Sequence, residues 1–154
     1  MKQVLLGLGS SLGNKKAALF WGRRLISLHP QIKVLCVSRI FRSAPMGAAQ
    51  ALFLNQCCLI QTQLSPTDLL AFIKTIEKRV GRKESTRWSD RILDIDILLY
   101  EQECVDTSVL TIPHPSFQER SFVIQPAQEI AQDWFHPVLG VKIKDLPVPF
   151  PRCW

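Results

Sequence analysis

Apolar and polar positions follow two periods along this chain, and the changes between them mark out its elements. Val4-Leu5-Leu6-Gly7-Leu8 is a short apolar run of the kind found in a buried strand, and Gly9-Ser10-Ser11-Leu12-Gly13-Asn14 is the turn that ends it. From Lys15 to about Leu28, Ala18, Leu19, Leu25, Ile26 and Leu28 give a helical stripe, with Asn14 as cap and Pro30 as stop. Ile32 to Phe41 alternates as a second strand, with Ile32, Val34, Cys36 and Ile40 on one face and Lys33 and Arg39 on the other. Leu35, Val37 and Phe41 share the charged face, which predicts cover on both sides. A loop from Arg42 to Gln50 leads to a third strand over Leu52 to Gln61. Ser65-Pro66-Thr67-Asp68 then starts a second helix with a Ser cap, a first-turn proline and an acid. Leu69, Leu70, Ile73, Ile76 and Val80 form its stripe, and Gly81 ends it.

Ile92 to Tyr100 is a fourth strand, nearly continuous in apolar residues apart from two acids. Alternation sends Asp94 and Asp96 to one face and Leu93, Ile95, Ile97 and Leu99 to the other. Two carboxylates at ~5 Å and an effective dielectric near 20 repel by about 3 kcal/mol, so this pair calls for a cation. The order strand, helix, strand, strand, helix, strand predicts an α+β, ferredoxin-like βαββαβ core: an antiparallel sheet with both helices on one face. C-terminal segments would cover the other face, because the fourth strand is too apolar to lie open. Glu101-Gln102-Glu103 predicts a turn to a short strand near Cys104-Val105. Ser116 to Gln125 predicts a helix, and an irregular tail follows Pro126.

With 154 residues and 47% apolar content, the chain suits one core and a single domain over 1–154. A net charge of +6 points to an anionic partner. Cys36, Cys57, Cys58, Cys104 and Cys153 are odd in number and lack Cys-x-x-Cys spacing, so they signal neither a disulfide framework nor zinc. A reducing cytoplasm fits them, and no run is long enough for a membrane span.

Lys78 to Arg91 brings six cations against Glu84 and Asp90, a surplus of four over one connection. That nearly balances a nucleoside triphosphate, whose oxygens Arg grips in pairs. A solvated basic loop is the plain alternative, but cations beside an acid pair are what a metal-bound triphosphate needs. Trp88 can cover a flat ligand or pack between loop and sheet. The Gly9–Asn14 turn lacks both the dinucleotide and the P-loop spacing, so turn chemistry suffices there.

Arg87-Trp88, Arg91 and Leu93-Asp94-Ile95-Asp96-Ile97-Leu98 resemble the signature of the 6-hydroxymethyl-7,8-dihydropterin pyrophosphokinases of folate biosynthesis. Ordered satellites support the resemblance: Gly9-Ser10, Gly13-Asn14, Ser43 to Gly47, Phe53-Leu54-Asn55, Glu77, Gly81-Arg82, Thr111, Pro113-His114, and Arg120 with Phe122. It implies transfer of pyrophosphate from ATP to the pterin's hydroxymethyl oxygen, releasing AMP, with two magnesium ions held by Asp94 and Asp96. By the same resemblance Arg82 and Arg91 join those acids in catalysis. Glu77, Arg82, Arg87, Trp88, Arg91, Ile97, Thr111, His114 and Arg120 line the nucleotide site. Phe53, Asn55, Trp88, Asp94 and Phe122, with the backbone of Ser43, Ala44, Pro45 and Met46, hold the pterin. The implied partners are ATP and a small pterin, with no nucleic acid and no membrane. The chain would be a monomer unless it is part of a fused folate-pathway polypeptide.

Departures from the family pattern are Ser89-Asp90 where Gly-Pro is usual, Phe53 for Tyr and Ser43 for Thr. Lys74, Val109 and Pro115 stand where polar or aromatic residues often contact nucleotide, so those roles are not carried over to them. The rivals are another two-metal nucleotidyl or phosphoryl transferase on a similar sheet, and a basic single-strand nucleic-acid module stacking bases on Trp88 and Phe53. Asp94 and Asp96 weigh against the second, since without metal they repel phosphate.

Overall fold

The computed structural model describes residues 1–43, 52–81 and 92–149. Strand β1 (Lys2–Ser10) leads to helix α1 (Lys15–Ser27), strands β2 (Ile32–Val37), β3 (Phe41–Ser43) and β4 (Phe53–Thr62), helix α2 (Pro66–Val80) and strand β5 (Asp94–Tyr100). A two-stranded ribbon of β6 (Val105–Asp106) and β7 (Thr111–Ile112) follows. Then come a short 3-10 turn (Phe117–Glu119), helix α3 (Ser121–Ala131) and a last 3-10 turn (Ile143–Asp145). The main sheet runs β2-β4-β1-β5, with β3 also on β4, and its pairings are antiparallel. This is the ferredoxin-like order expected from the alternation of elements.

The helix starts and stops are those the side chains dictate. Asn14 accepts the Ala17 amide at 3.1 Å and Ser65 the Asp68 amide at 3.1 Å; Gly81 closes α2 in the left-handed conformation at φ 112°. Both helices pack on one face, where Val4, Leu6 and Leu8 meet Leu19, Ile26, Leu69, Ile73 and Ile76. On the other face Leu5, Cys57, Leu98 and Leu99 meet Phe117, Ile124, Ala127, Ala131, Ile143 and Leu146. The C-terminal segments thus supply the second cover.

Four expectations change. The second strand breaks after Val37, because Ser38 turns inward: its Oγ accepts the Cys57 amide at 2.9 Å and donates to the Arg39 carbonyl at 2.8 Å. A register shift between Val34 and Cys36 also changes the phase, so Val37 packs with the helix-side core while Leu35 and Cys36 are exposed rather than covered. In β5 the pairing jumps from Leu6–Ile97 to Leu5–Leu99, leaving Leu98 as an extra residue. Leu99 therefore faces the second core instead of joining Ile95 and Ile97, and Tyr100 returns to the first. Finally, α3 runs through Pro126 to Ala131 rather than ending near Gln125. A proline there gives up the bond to the Phe122 carbonyl, and burial of Ile124, Ala127 and Ala131 along one stripe offsets the loss. The short strand after Glu101–Glu103 is present as β6, but it pairs with β7.

Candidate active site

Pairing register puts the chemistry on one face. Phe41, Asn55, Gly9 and Asp94 lie opposite one another across β3, β4, β1 and β5, and residues so paired share a face. The next positions on that face are Ser43 with Phe53 on one side and Gly7 with Asp96 on the other. Leu5 and Cys57 continue it into the second core. The acid pair therefore occupies the part of this face that α3 and the C-terminal segments leave open. Asp96 keeps 38% of its side chain exposed.

Two glycines make the floor. A Cβ at Gly9 would stand 3.4 Å from Asn55 Oδ1 and 3.7 Å from Phe53 Cδ1, and one at Gly7 would stand 3.2 Å from Leu98 Cδ1. Side chains there would fill the strip between Asn55 and the acids, so their absence keeps it clear. Asn55 is buried, and its Nδ2 donates to Ser43 Oγ at 2.8 Å, which fixes the amide's direction.

The acids face a histidine and an arginine from the segment after β7. The His114 amide bonds the Leu98 carbonyl at 3.0 Å, anchoring the loop to the outer edge of β5. Its Nδ1 accepts the Ser116 amide at 3.2 Å, which leaves the proton on Nε2. That nitrogen stands 3.9 Å from Asp96 Oδ1, an electrostatic approach rather than a hydrogen bond. Arg120, at the start of α3, lies over the Phe122 ring at 5.6 Å, and its charge reaches Asp96. Asp96 is raised to about 7, first by desolvation and then by Asp94, with Arg120 pulling the other way.

That balance is the mark of carboxylates short of positive charge. Hard oxygen donors suit magnesium better than zinc. Among the described residues no group of three or more His, Cys, Asp and Glu could enclose an ion. An ion held by Asp94 and Asp96 would have positions in its shell for water or ligand oxygens, as magnesium with phosphates does.

The expected site residues distribute as follows. Ser43, Phe53, Asn55, Asp94 and Asp96 share the open face, with His114, Arg120 and Phe122 on the segments beside it. Thr111 is exposed on β7. Glu77 is buried beneath the edge of β5, where its Oε2 accepts the Ile95 amide at 2.9 Å. Ile97 turns its side chain into the helix-side core, 4% exposed, because alternation directs it away from the acids. Only its backbone could reach a ligand. Ala44, Pro45, Met46, Arg82, Arg87, Trp88 and Arg91 lie outside the described residues. Gly7 as floor and Lys74 as an ion-pair partner of Glu77 were not assigned from the sequence; a strand glycine opposite an acid was the available signal for the first.

A family model for 7,8-dihydro-6-hydroxymethylpterin-pyrophosphokinase (HPPK) matches residues 5–132. The chain belongs to the HPPK family. The 2-amino-4-hydroxy-6-hydroxymethyldihydropteridine pyrophosphokinase of Aquifex aeolicus is 36% identical over 146 residues, covering 94% of this chain and 90% of that one. The Bacillus subtilis enzyme of the same name is 39% identical over 128 residues, 82% of this chain and 77% of that protein. Among solved structures, wild-type Plasmodium falciparum HPPK-DHPS with pteroate superposes with a TM-score of 0.75 at 14% identity, a likeness of fold. It covers 94% of this chain and 41% of that longer one, so this chain spans about two-fifths of it. The acid pair, Glu77, His114, Arg120 and Phe122 all fall inside the HPPK match.

Proposed function

We propose that this chain transfers pyrophosphate from ATP to the hydroxymethyl group of 6-hydroxymethyl-7,8-dihydropterin, releasing AMP, in folate biosynthesis. The observation that carries the reading is the face, open among the described residues, that joins an acid pair to an amide-and-aromatic strip, within a chain of the HPPK family.

The two ends of that face suit the two substrates. Phe53 and Phe122 offer area to a flat heterocycle, while Asn55, held by Ser43, reads its hydrogen-bonding edge. Asp94 and Asp96 would hold two magnesium ions, which when bound neutralise phosphate charge and polarise the attacking hydroxyl. His114 Nε2–H and Arg120 face the same side and would bind phosphate oxygens as charge develops on them. By resemblance Arg82, Arg87 and Arg91 add to this grip, Trp88 covers a ring, Thr111 assists, and Arg82 and Arg91 act in catalysis. Water exclusion would come from ligands filling the strip above Gly7 and Gly9.

We further place the protein in the cytoplasm as a single pyrophosphokinase domain. It would be a monomer unless joined to another enzyme, as in HPPK-DHPS chains. Among the described residues no helix is long and apolar enough to cross a membrane.

Incubation with ATP, magnesium and the hydroxymethyl pterin, followed by nucleotide chromatography, tests the proposal. AMP should appear in step with pyrophosphorylated pterin. ADP release, or nucleotide turnover indifferent to the pterin, would overturn it.

A further inference from the structure

A third carboxylate ties the acid-bearing strand to helix α2. Glu77 lies in the last turn of that helix, where the carbonyl end disfavours negative charge, and its side chain is 1% exposed. A buried acid at such a place costs stability unless donors and a cation meet it. Here they do. Oε2 accepts the Ile95 amide at 2.9 Å, and Oε1 lies 3.1 Å from Lys74 Nζ, about one turn earlier on the same helix.

The Ile95 amide is unusual in what it belongs to. It is the peptide N–H between Asp94 and Asp96, and among the described residues β5 is the edge of the sheet, with no further strand taking its outward groups. A side chain from beneath the sheet does so instead. The peptide that carries both site acids is therefore positioned by Glu77, and Glu77 by a lysine that is half exposed at the surface. Asp96 also senses both charges, Glu77 and Lys74 acting on it in opposite senses.

We propose that Lys74 is a positioning residue for the acid pair: its ammonium orients the Glu77 carboxylate beneath β5, and that carboxylate fixes the peptide from which Asp94 and Asp96 project. The consequence for cation binding rests on the function proposed above. The clamp itself does not.

Amide exchange in the metal-free full chain, read by NMR at Ile95, tests the clamp directly. In Lys74→Met the Ile95 amide should exchange about tenfold faster, equivalent to about 1.4 kcal/mol, while Leu6 and Ile60 in the central strands hold their rates. Lys74→Arg should restore protection. In a Glu77→Gln background, where a neutral amide needs no cation, Lys74→Met should add nothing further. Unchanged Ile95 exchange in Lys74→Met, or equal acceleration at Leu6 and Ile60, overturns the proposal.

A second measurement follows the magnesium concentration that half-saturates binding of a non-hydrolysable ATP analogue. It should rise about threefold or more in Lys74→Met and return in Lys74→Arg. If the unaltered protein binds no analogue at any magnesium concentration, the proposed function fails, and the exchange data decide the clamp alone. If the analogue binds and both lysine variants match the parent, Lys74 has no positioning role toward the cation.

Discussion

The two faces of the central sheet share the same strands and differ in what happens to alternate residues. Toward α1 and α2, Val4, Leu6 and Leu8 sink into a core that runs the length of β1. Toward α3, Leu5 sinks likewise, but Gly7 and Gly9 follow it and the neighbouring strand offers Asp96 and Asp94. One face is sealed along its whole extent. The other is sealed at one end and carries the acid pair at the other, so the candidate site is the stretch of a core-facing surface that its covering helix does not reach. The same alternation that builds the fold also aims the carboxylates.

Substitutions on the two faces should therefore separate activity from stability. Asp96→Ala, and likewise Asp94→Ala, should lower pyrophosphoryl transfer by about three orders of magnitude or more in steady-state assays. Neither should lower the melting temperature, because each removes a repulsive charge. Leu6→Ala on the sealed face should do the reverse, costing about 2–5 kcal/mol in urea unfolding. A common response to both would break the distinction between the faces. At the covered end of the second face, Phe117 is fully buried, and Phe117→Ala should cost about 3–5 kcal/mol by the same measurement.

A smaller effect is expected at the strip between the two ends. Asn55→Ala removes the amide held by Ser43 and should raise the pterin KM about tenfold, with less change in kcat.

The smallest effects come from pH, and they take opposite signs at the open and covered ends. Asp96, raised from 3.8 to about 7, contributes stability that is complete below 3.8 and is lost as pH rises through 7. In metal-free protein the melting-temperature difference between the parent and Asp96→Asn should therefore turn against the parent between about pH 4 and pH 8. His136 is lowered from 6.5 by burial, and its Nδ1 accepts the Leu139 amide at 3.1 Å. Its contribution is present above 6.5 and is lost as pH falls through the lowered value. Comparison with His136→Gln across about pH 7 to pH 5 should show that loss. Matching slopes at the two positions would contradict the contrast.

What the sequence made legible was local and periodic. Asn14, Ser65 and Gly81 announce helix ends because each satisfies a backbone group within a few residues. Asp94 and Asp96 announce a shared face because a strand repeats every two residues. What it hid was set by partners distant in the chain. Leu99 changes face because β1 counts one residue fewer than β5, and no residue type marks that surplus. Pro126 reads as a stop until the apolar stripe of α3 finds its core. Lys74 reads as one more solvated cation until Glu77 is seen turned inward beneath Ile95.

The surplus residue at Leu98 makes β5 a strand with two independent phases. Upstream, its side chains are timed against Gly7 and Gly9; downstream, against Val4 and Leu5, with the Tyr100 hydroxyl reaching the Leu64 carbonyl. Removing that one residue would merge the two phases into one regular ladder, with Leu99 still opposite Leu5, Tyr100 still opposite Val4 and the carboxylates keeping their aim. The joint thus lets positions of opposite parity, Asp94 and Asp96 before it and Leu99 after it, come to the same side of the sheet.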